Sequence, residues 1–203
     1  MRVLRLLVIA AALFCGAAAH AADAANVVIG QLTGVRGEVF REGAGRREPA
    51  AVGMPLHQGD VLASYAGKAR VQLNDGTILS LGEGSRLDFR SYRRADNDFS
   101  VELVATTGVF RLLVNRLIPG GFRVETETAV ASVRGTEWVM QASADATAVA
   151  VLDGSVGVAG RDGTSVVLQP GQGTDVRRGA APTPPTTWGA ARLADTVARA
   201  SFD

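Results

Sequence analysis

Apolar and polar residues alternate in short runs from Val27 to Val176, and turn residues interrupt these runs at close intervals. An alternation with a period of two is typical of strands that bury one face. Many short strands separated by glycine-containing turns are typical of sandwiches, barrels and rolls. The pattern therefore predicts an all-β fold, an antiparallel sandwich or roll of short strands and Asp-Gly hairpins.

Three Asp-Gly turns predict which residues face each other. At Asp162-Gly163 and at Asp75-Gly76, the apolar residues of the two flanking strands lie on one face of the hairpin only if the loop has an odd number of residues. A three-residue loop with its glycine in the left-handed region meets this condition. At Asp153-Gly154 a two-residue loop serves the same purpose. The predicted pairs are Val158 with Val166, Val156 with Leu168, Val71 with Leu79, Ala69 with Leu81, Val151 with Val156, and Val149 with Val158.

The loop at Gly163 gives a first testable prediction. Gly163→Val is expected to lower the free energy of unfolding by about 1 kcal/mol or more, because valine does not tolerate a positive φ. The measurement is the melting temperature, and an unchanged value would contradict the predicted loop.

Beyond Arg178 the composition changes. Residues 179–189 are rich in Pro, Ala and Thr and are expected to form an extended linker, and residues 190–203 are expected to form a short helical tail. Leu193 and Val197 lie four residues apart and share a helix face. The tail is either a partner-docking helix or a frayed or packed end.

The first 21 residues resemble a cleaved export signal. Arg2 and Arg5 precede the apolar run from Leu6 to Phe14, and small residues follow at Ala19 and Ala21. We therefore expect a periplasmic protein with a signal peptide (1–21), a β domain (27–178), the linker and the tail. The alternative is a retained N-terminal anchor. No other run is apolar enough to cross a membrane after cleavage.

Charge and composition exclude several classes of function. Removing Arg2 and Arg5 from the 21 basic residues leaves 19 against 20 acidic residues, a balance that argues against a nucleic-acid partner. Cleavage after Ala21 also removes Cys15 and one of the two histidines. A single His57 cannot build a catalytic triad or a histidine-rich metal site. We expect no enzyme, no cofactor and no metal.

Three groups of side chains remain as candidates for chemistry or binding. Glu125 and Glu127 alternate along one predicted strand and are the only basis for a carboxylate-dependent hydrolase, although a solvated strand face is the simpler interpretation. A basic cluster is the candidate site for an anionic partner, because arginine and tyrosine are enriched at interfaces. Exposed aromatic residues would favour a cell-wall glycan ligand. The cluster is Arg90, Tyr92, Arg93 and Arg94, and the aromatics are Tyr65, Tyr92 and Trp188.

Several ordered pieces between about Gly30 and Val176 resemble the FecR domain, the periplasmic module of FecR-type anti-sigma regulators. The pieces are Leu56 to Leu62, Leu73 to Thr77 with Leu81, Phe122 to Thr126 with Ala129, Val133 to Thr136 with Trp138, Val151 to Val156, and Leu168 to Gln172. Within them the motif residues are Phe122, Val124, Thr126, Arg134, Gly135, Thr136, Asp153 and Gly154, and we interpret these as structural.

The resemblance implies an all-β envelope domain that senses the state of a partner and transmits it. Full regulators of this family add a cytoplasmic segment that holds a sigma factor, and a membrane helix. This chain is expected to have neither, so the resemblance implies a non-enzymatic sensing or protein-interaction module whose partner is an envelope protein. A glycan-binding domain is the alternative, and the hydrolase is the weaker one.

Overall fold

The computed structural model describes residues 27–95, 98–115 and 121–202, and the predicted signal peptide lies outside them. Within these ranges the predicted all-β, antiparallel fold with a short C-terminal helix is confirmed. The strands are β1 (Val28–Gly43), β2 (Arg46–Pro49), β3 (Pro55–His57), β4 (Val61–Leu73), β5 (Ile78–Leu81), β6 (Arg86–Ala95), β7 (Asp98–Leu113), β8 (Gly121–Glu125), β9 (Ala129–Val133), β10 (Glu137–Ala142), β11 (Ala146–Asp153), β12 (Val156–Gly160), β13 (Ser165–Leu168), β14 (Gln172–Arg177) and β15 (Thr186–Thr187), and the helix is α1 (Ala190–Ala200).

The strands form one continuous ladder that folds into two facing sheets. Sheet I contains β2, β6, β8, β9, β12 and β13, and sheet II contains β3, β5, β10, β11, β14 and β15. The long strands β1, β4 and β7 run through both sheets. For example, β7 pairs with β8 through residues 100–104 and with β10 through residues 108–113.

The hydrophobic core lies between the two sheets. Leu87 and Val124 from sheet I line one internal cavity together with Leu79, Phe110 and Met140 from sheet II. All five side chains are buried, as is Trp138, the largest of the fully buried side chains. The alternation along each strand therefore places its apolar face toward the opposite sheet.

The registers predicted at two Asp-Gly turns are confirmed. Val158 faces Val166 and Val156 faces Leu168 across the loop at Gly163. Across the loop at Gly76 the predicted pairs of β4 and β5 also form. Both glycines have a positive φ, +86° at Gly163 and +87° at Gly76.

The hairpin predicted at Asp153-Gly154 is wrong. Val151 pairs with Trp138 in sheet II, and Val156 pairs with Val133 in sheet I. The turn at Gly154 carries the chain from one sheet to the other instead of reversing it within a ladder. The predicted apolar face is nevertheless present, because the four valines of β11 and β12 are all buried.

One strand pair departs from the antiparallel arrangement. β8 lies parallel to the first half of β7, with Ser100 opposite Gly121 and Val104 opposite Glu125. The cause is the topology: β7 ends in sheet II, and the chain returns to sheet I beside the start of the same strand.

The C-terminal residues pack on sheet II. α1 contacts β7 and β10, and Leu193 and Val197 share the face that packs against Val139, Ala148 and Ala150. Of the two interpretations of the tail, the structure shows the packed one. Residues 179–189 run back along β14, where Thr186 and Thr187 pair with Gly173 and Gln172 as β15.

Candidate protein-interaction surface

The motif residues of β9 to β12 form the corner of one bent ribbon. β9 pairs with β12 in sheet I and β10 pairs with β11 in sheet II, so that Val133 faces Val156 and Glu137 faces Asp153. The two crossings between the sheets, residues 134–136 and 154–155, therefore lie side by side. We call this contact the ribbon corner.

Close backbone contact fixes the ribbon corner. Gly135 and Gly154 both have a positive φ, +61° and +86°. The buried Thr136 hydroxyl donates a 2.9 Å hydrogen bond to the Ser155 carbonyl. A Cβ atom on Gly154 would lie only 2.9 Å from the Gly135 carbonyl oxygen. The geometry supports a structural role for Gly135, Thr136 and Gly154, because each satisfies or permits a backbone contact.

The other motif residues divide into buried and exposed ones. Phe122 and Val124 point into the core, and the Thr126 hydroxyl lies 2.7 Å from that of Thr147 in the opposite sheet. Arg134 and Asp153 are exposed. Only these last two can present side chains to a partner.

The basic cluster predicted on β6 is only partly available at the surface. Arg90 and Arg93 are exposed, and Arg90 lies 3.5 Å from the Glu125 carboxylate. Tyr92 is 8% exposed and packs edge to face against Phe99, with ring centroids 5.8 Å apart. Its ring is therefore buried and, unlike Arg90 and Arg93, does not add to the exposed part of the cluster. The side chain of Arg94 lies outside the described residues.

The two glutamates suggested as an acid–base pair each form an ion pair with a different arginine. Glu125 ends β8 and faces Arg90, whereas Glu127 lies in the following bend, 3.4 Å from Arg178. The expected alternation on a single strand is wrong because β8 ends before Glu127. The two carboxylates do not converge on one site.

His57 lies at a turn, as expected of a lone polar residue. Its backbone N–H donates a 2.8 Å hydrogen bond to Asp60, and its Nδ1 lies 3.3 Å from a nitrogen of Arg41. Arg41 also contacts Glu48. These contacts bind β1 to the turn before β4. Within the described ranges no group of three or more His, Cys, Asp or Glu side chains could hold a metal ion.

The aromatic residues proposed to bind a glycan do not share a surface. Tyr65 is 48% exposed, but Trp188 is 5% exposed and Tyr92 is buried as well. The predicted exposure is confirmed for Tyr65 and wrong for Tyr92 and Trp188. A ring that is buried on both faces cannot stack on a sugar.

Tyr65 belongs to a surface that sequence reasoning missed. The Arg47 guanidinium lies 4.2 Å from the centroid of the Phe40 ring and 5.1 Å from that of Tyr65, and the two rings meet edge to face at 5.9 Å. The nearest carboxylate, Glu42, is 3.9 Å from Arg47. We call Phe40, Arg47 and Tyr65 the aromatic–arginine platform. Such residues are enriched at protein interfaces.

A charge pair borders this platform. Arg86 donates two hydrogen bonds to the Glu42 carboxylate, at 3.1 and 2.7 Å. These bonds, with the nearby charges of Arg86 and Arg47, lower the pKa of Glu42, and the bond to Glu42 raises the pKa of Arg86. On β6, the strand that carries Arg86, burial raises the pKa of Asp88. The outer face of sheet I is therefore charged and ordered.

The Glu42 pair predicts a pH-dependent difference in stability. Glu42→Gln is expected to lower the free energy of unfolding at pH 7 by about 0.5 kcal/mol, as for a partly exposed ion pair. A lowered pKa in the folded state means that the stabilisation is present above the unfolded pKa of about 4.3 and is lost as the pH falls through the folded pKa. Urea denaturation of the wild type and of Glu42→Gln at pH 7 and at pH 3 measures this difference in the free energy of unfolding. Glu38→Gln, which removes an exposed carboxylate from the same strand, is the control for the loss of a negative charge without this ion pair.

Comparison with known proteins finds a family model that matches part of this chain. The model of the family described as FecR protein matches residues 60–157, the segment from the start of β4 to the ribbon corner and β12. Residues 60–157 therefore match a FecR domain, and the resemblance noted in the sequence is confirmed.

Solved structures show the same fold. Two crystal structures of "a putative anti-sigma factor from Parabacteroides distasonis ATCC 8503" each match with a TM-score of 0.54 and 22% sequence identity. The similarity covers 65% of this chain and 61% of that one, so only part of each protein is shared. A search of curated proteins found no match. Among the described residues, no helix is long and apolar enough to cross a membrane.

Proposed function

We propose that this chain is a non-enzymatic, periplasmic FecR-domain protein that binds an envelope protein and takes part in envelope signalling. The observation that carries the proposal is the family match across residues 60–157. Three of the motif residues, Gly135, Thr136 and Gly154, build the ribbon corner, which supports a role of the motif as a scaffold and not as a set of reactive groups.

The distribution of side chains supports binding rather than catalysis. The outer face of sheet I combines the aromatic–arginine platform with ordered charge pairs, and the predicted mature chain retains one histidine and no cysteine. We further propose that residues 1–21 direct export and that residues 27–178 form the domain, with the linker and the tail after it.

In vivo photo-crosslinking tests this function. A photoreactive residue is placed at Tyr65, Arg123 or Val167, three exposed positions along sheet I. A recurring adduct with one envelope protein is expected after irradiation of cells. A variant without residues 1–21 is the control, and it should stay in the cytoplasm and lose the adduct.

Two results would count against the proposal. Retention of the full-length protein in the cytoplasm would contradict its location. Irradiation that gives no protein adduct from any exposed position, including those on the tail, would contradict a protein partner.

A further inference from the structure

The C-terminal segment crosses the whole width of the outer face of sheet II. From here on the tail covers residues 186–202, because Thr186, Thr187 and Trp188 at the end of the linker pack on the same sheet. At one end Trp188 packs on Gly173 of β14, and at the other Phe202 packs on Gly34 of β1. A Cβ atom on either glycine would overlap the ring that covers it. Glycine at both ends therefore makes room for an aromatic ring.

The middle of this face accepts a helix. Small apolar side chains of β10 and β11 form its floor, and α1 turns four residues toward the sheet. Their spacing of i, i+3, i+4 and i+7 is that of one helix face. The floor is Val139, Ala148 and Ala150, and the helix residues are Leu193, Thr196, Val197 and Ala200.

Polar contacts at the start and middle of α1 fix its position. Asp175 accepts two hydrogen bonds from Arg192, at 3.1 and 2.5 Å. The Arg192 guanidinium also lies 3.7 Å from the Trp188 ring. Gln141 donates a 3.0 Å hydrogen bond to the buried Thr196 hydroxyl. The face thus selects a cation at the first turn and a hydroxyl one turn later.

Cationic side chains receive the end of α1. Lys68 donates hydrogen bonds to the carbonyls of Ala198 and Ser201, at 3.1 and 2.9 Å. Arg36 and Arg70 lie 4.9 and 5.5 Å from the centroid of the Phe202 ring. Positive charge at a helix C-terminus complements the helix dipole. The arrangement therefore fixes the direction of the bound helix.

The helix depends on this surface for its order. α1 has eleven residues, no side-chain cap at Gly189 and no acidic residue in its first turn. A helix of this length is marginal in isolation. The surface that holds it is already formed by the strands, so it can bind a helix supplied from elsewhere.

We propose that this face is a helix-docking groove, and that an amphipathic helix of the partner protein displaces the tail from it. The inference rests on the proposed function, and it adds this face of sheet II to the sheet I surface as a second contact for the same partner. The partner helix carries a cation in its first turn, apolar residues at the spacing of α1, a hydroxyl in the middle and an aromatic residue after its end. The tail competes as a tethered ligand whose effective concentration is about millimolar.

A peptide of residues 186–202 with a fluorescent label is the probe. Its binding to the full chain is measured by anisotropy for the wild type and for the double variant Trp188→Ala, Phe202→Ala. The double variant loosens the chain's own tail at both ends and leaves the groove unchanged. We expect it to bind the peptide at least tenfold more tightly than the wild type. A peptide with Leu193→Asp should not bind.

Arg178→Ala is the matched control. It removes exposed ion pairs with Glu127 and Asp145 and lies outside the groove, so it should not increase binding. Arg192→Ala is a milder second variant, which loses the pair with Asp175 while both aromatic anchors remain. It should increase binding about threefold.

Two outcomes would overturn the inference. In the first, the double variant and Arg192→Ala bind the peptide no more tightly than the wild type does, although their circular dichroism spectra are those of the wild type. The other is a stable dimer of the double variant that excludes the peptide, because a second copy would then be the occupant. A partner that crosslinks only through sheet I, with no peptide binding, would leave the proposed function intact and remove this inference alone.

Discussion

Gly154→Ala is expected to lower the free energy of unfolding by about 3 kcal/mol or more. The residue has a φ of +86°, which costs a side-chain-bearing residue about 1 kcal/mol. The new Cβ would also lie 2.9 Å from the Gly135 carbonyl oxygen and the Thr136 hydroxyl. Overpacking of this kind typically costs about 1–3 kcal/mol. Displacement of Thr136 would further weaken its hydrogen bond to Ser155, a contribution of about 1 kcal/mol.

Gly163→Ala is the matched control for this substitution. Gly163 has the same φ of +86°, but nothing lies within 4 Å of the position of its Cβ. We therefore expect it to lose only about 1 kcal/mol, the cost of the backbone conformation. Urea denaturation of both variants separates the cost of packing from that of the backbone. Equal losses would contradict a close contact at the ribbon corner.

Trp188→Ala is expected to destabilise the docked tail by about 3 kcal/mol. Truncation of a buried tryptophan typically costs about 3–5 kcal/mol, and Trp188 is 5% exposed. The substitution removes its contact with Gly173 and the cation–π contact with Arg192. Because α1 depends on docking, the loss should appear as local opening of the helix.

Hydrogen exchange of the α1 amides measures this effect. A loss of about 3 kcal/mol corresponds to roughly a 100-fold increase in exchange rate, because each 1.36 kcal/mol is a factor of ten. The amides of β9 and β12 should exchange as in the wild type. Tyr65→Ala, which removes an exposed ring on the opposite sheet, is the control and should leave α1 unchanged. An equal increase in every strand would mean that Trp188 stabilises the whole domain rather than the tail.

The parts of the fold that sequence predicts are those that depend on neighbouring residues. At Gly76 and Gly163 the loop length and the left-handed glycine determine the register, and both lie within the hairpin itself. The same Asp-Gly dipeptide at Gly154 behaves differently because it contacts Thr136, eighteen residues earlier. A prediction from neighbouring residues alone cannot include a contact with a residue so far away in the sequence.

The candidate surface was harder to predict for a similar reason. Tyr92 and Trp188 are aromatic residues in polar surroundings, and only their contacts with Phe99 and Gly173 show that they are buried. The position of Arg47 over Phe40 and Tyr65 also depends on the pairing of three strands. The short turn at Gly45 was the available signal, since it brings Arg47 back beside the end of β1.

The position of the tail also determines when the molecule becomes complete. The ribosome adds residues 186–202 after every strand from β1 to β14, so the floor formed by Val139, Ala148 and Ala150 stays uncovered until this segment has been made. A premature stop or a protease cut just before α1 would leave the strands β1 to β14 in place but expose an apolar strip. Exposed apolar strips attract chaperones and proteases. Quality control would therefore recognise a chain that has lost the tail even when its β domain is intact.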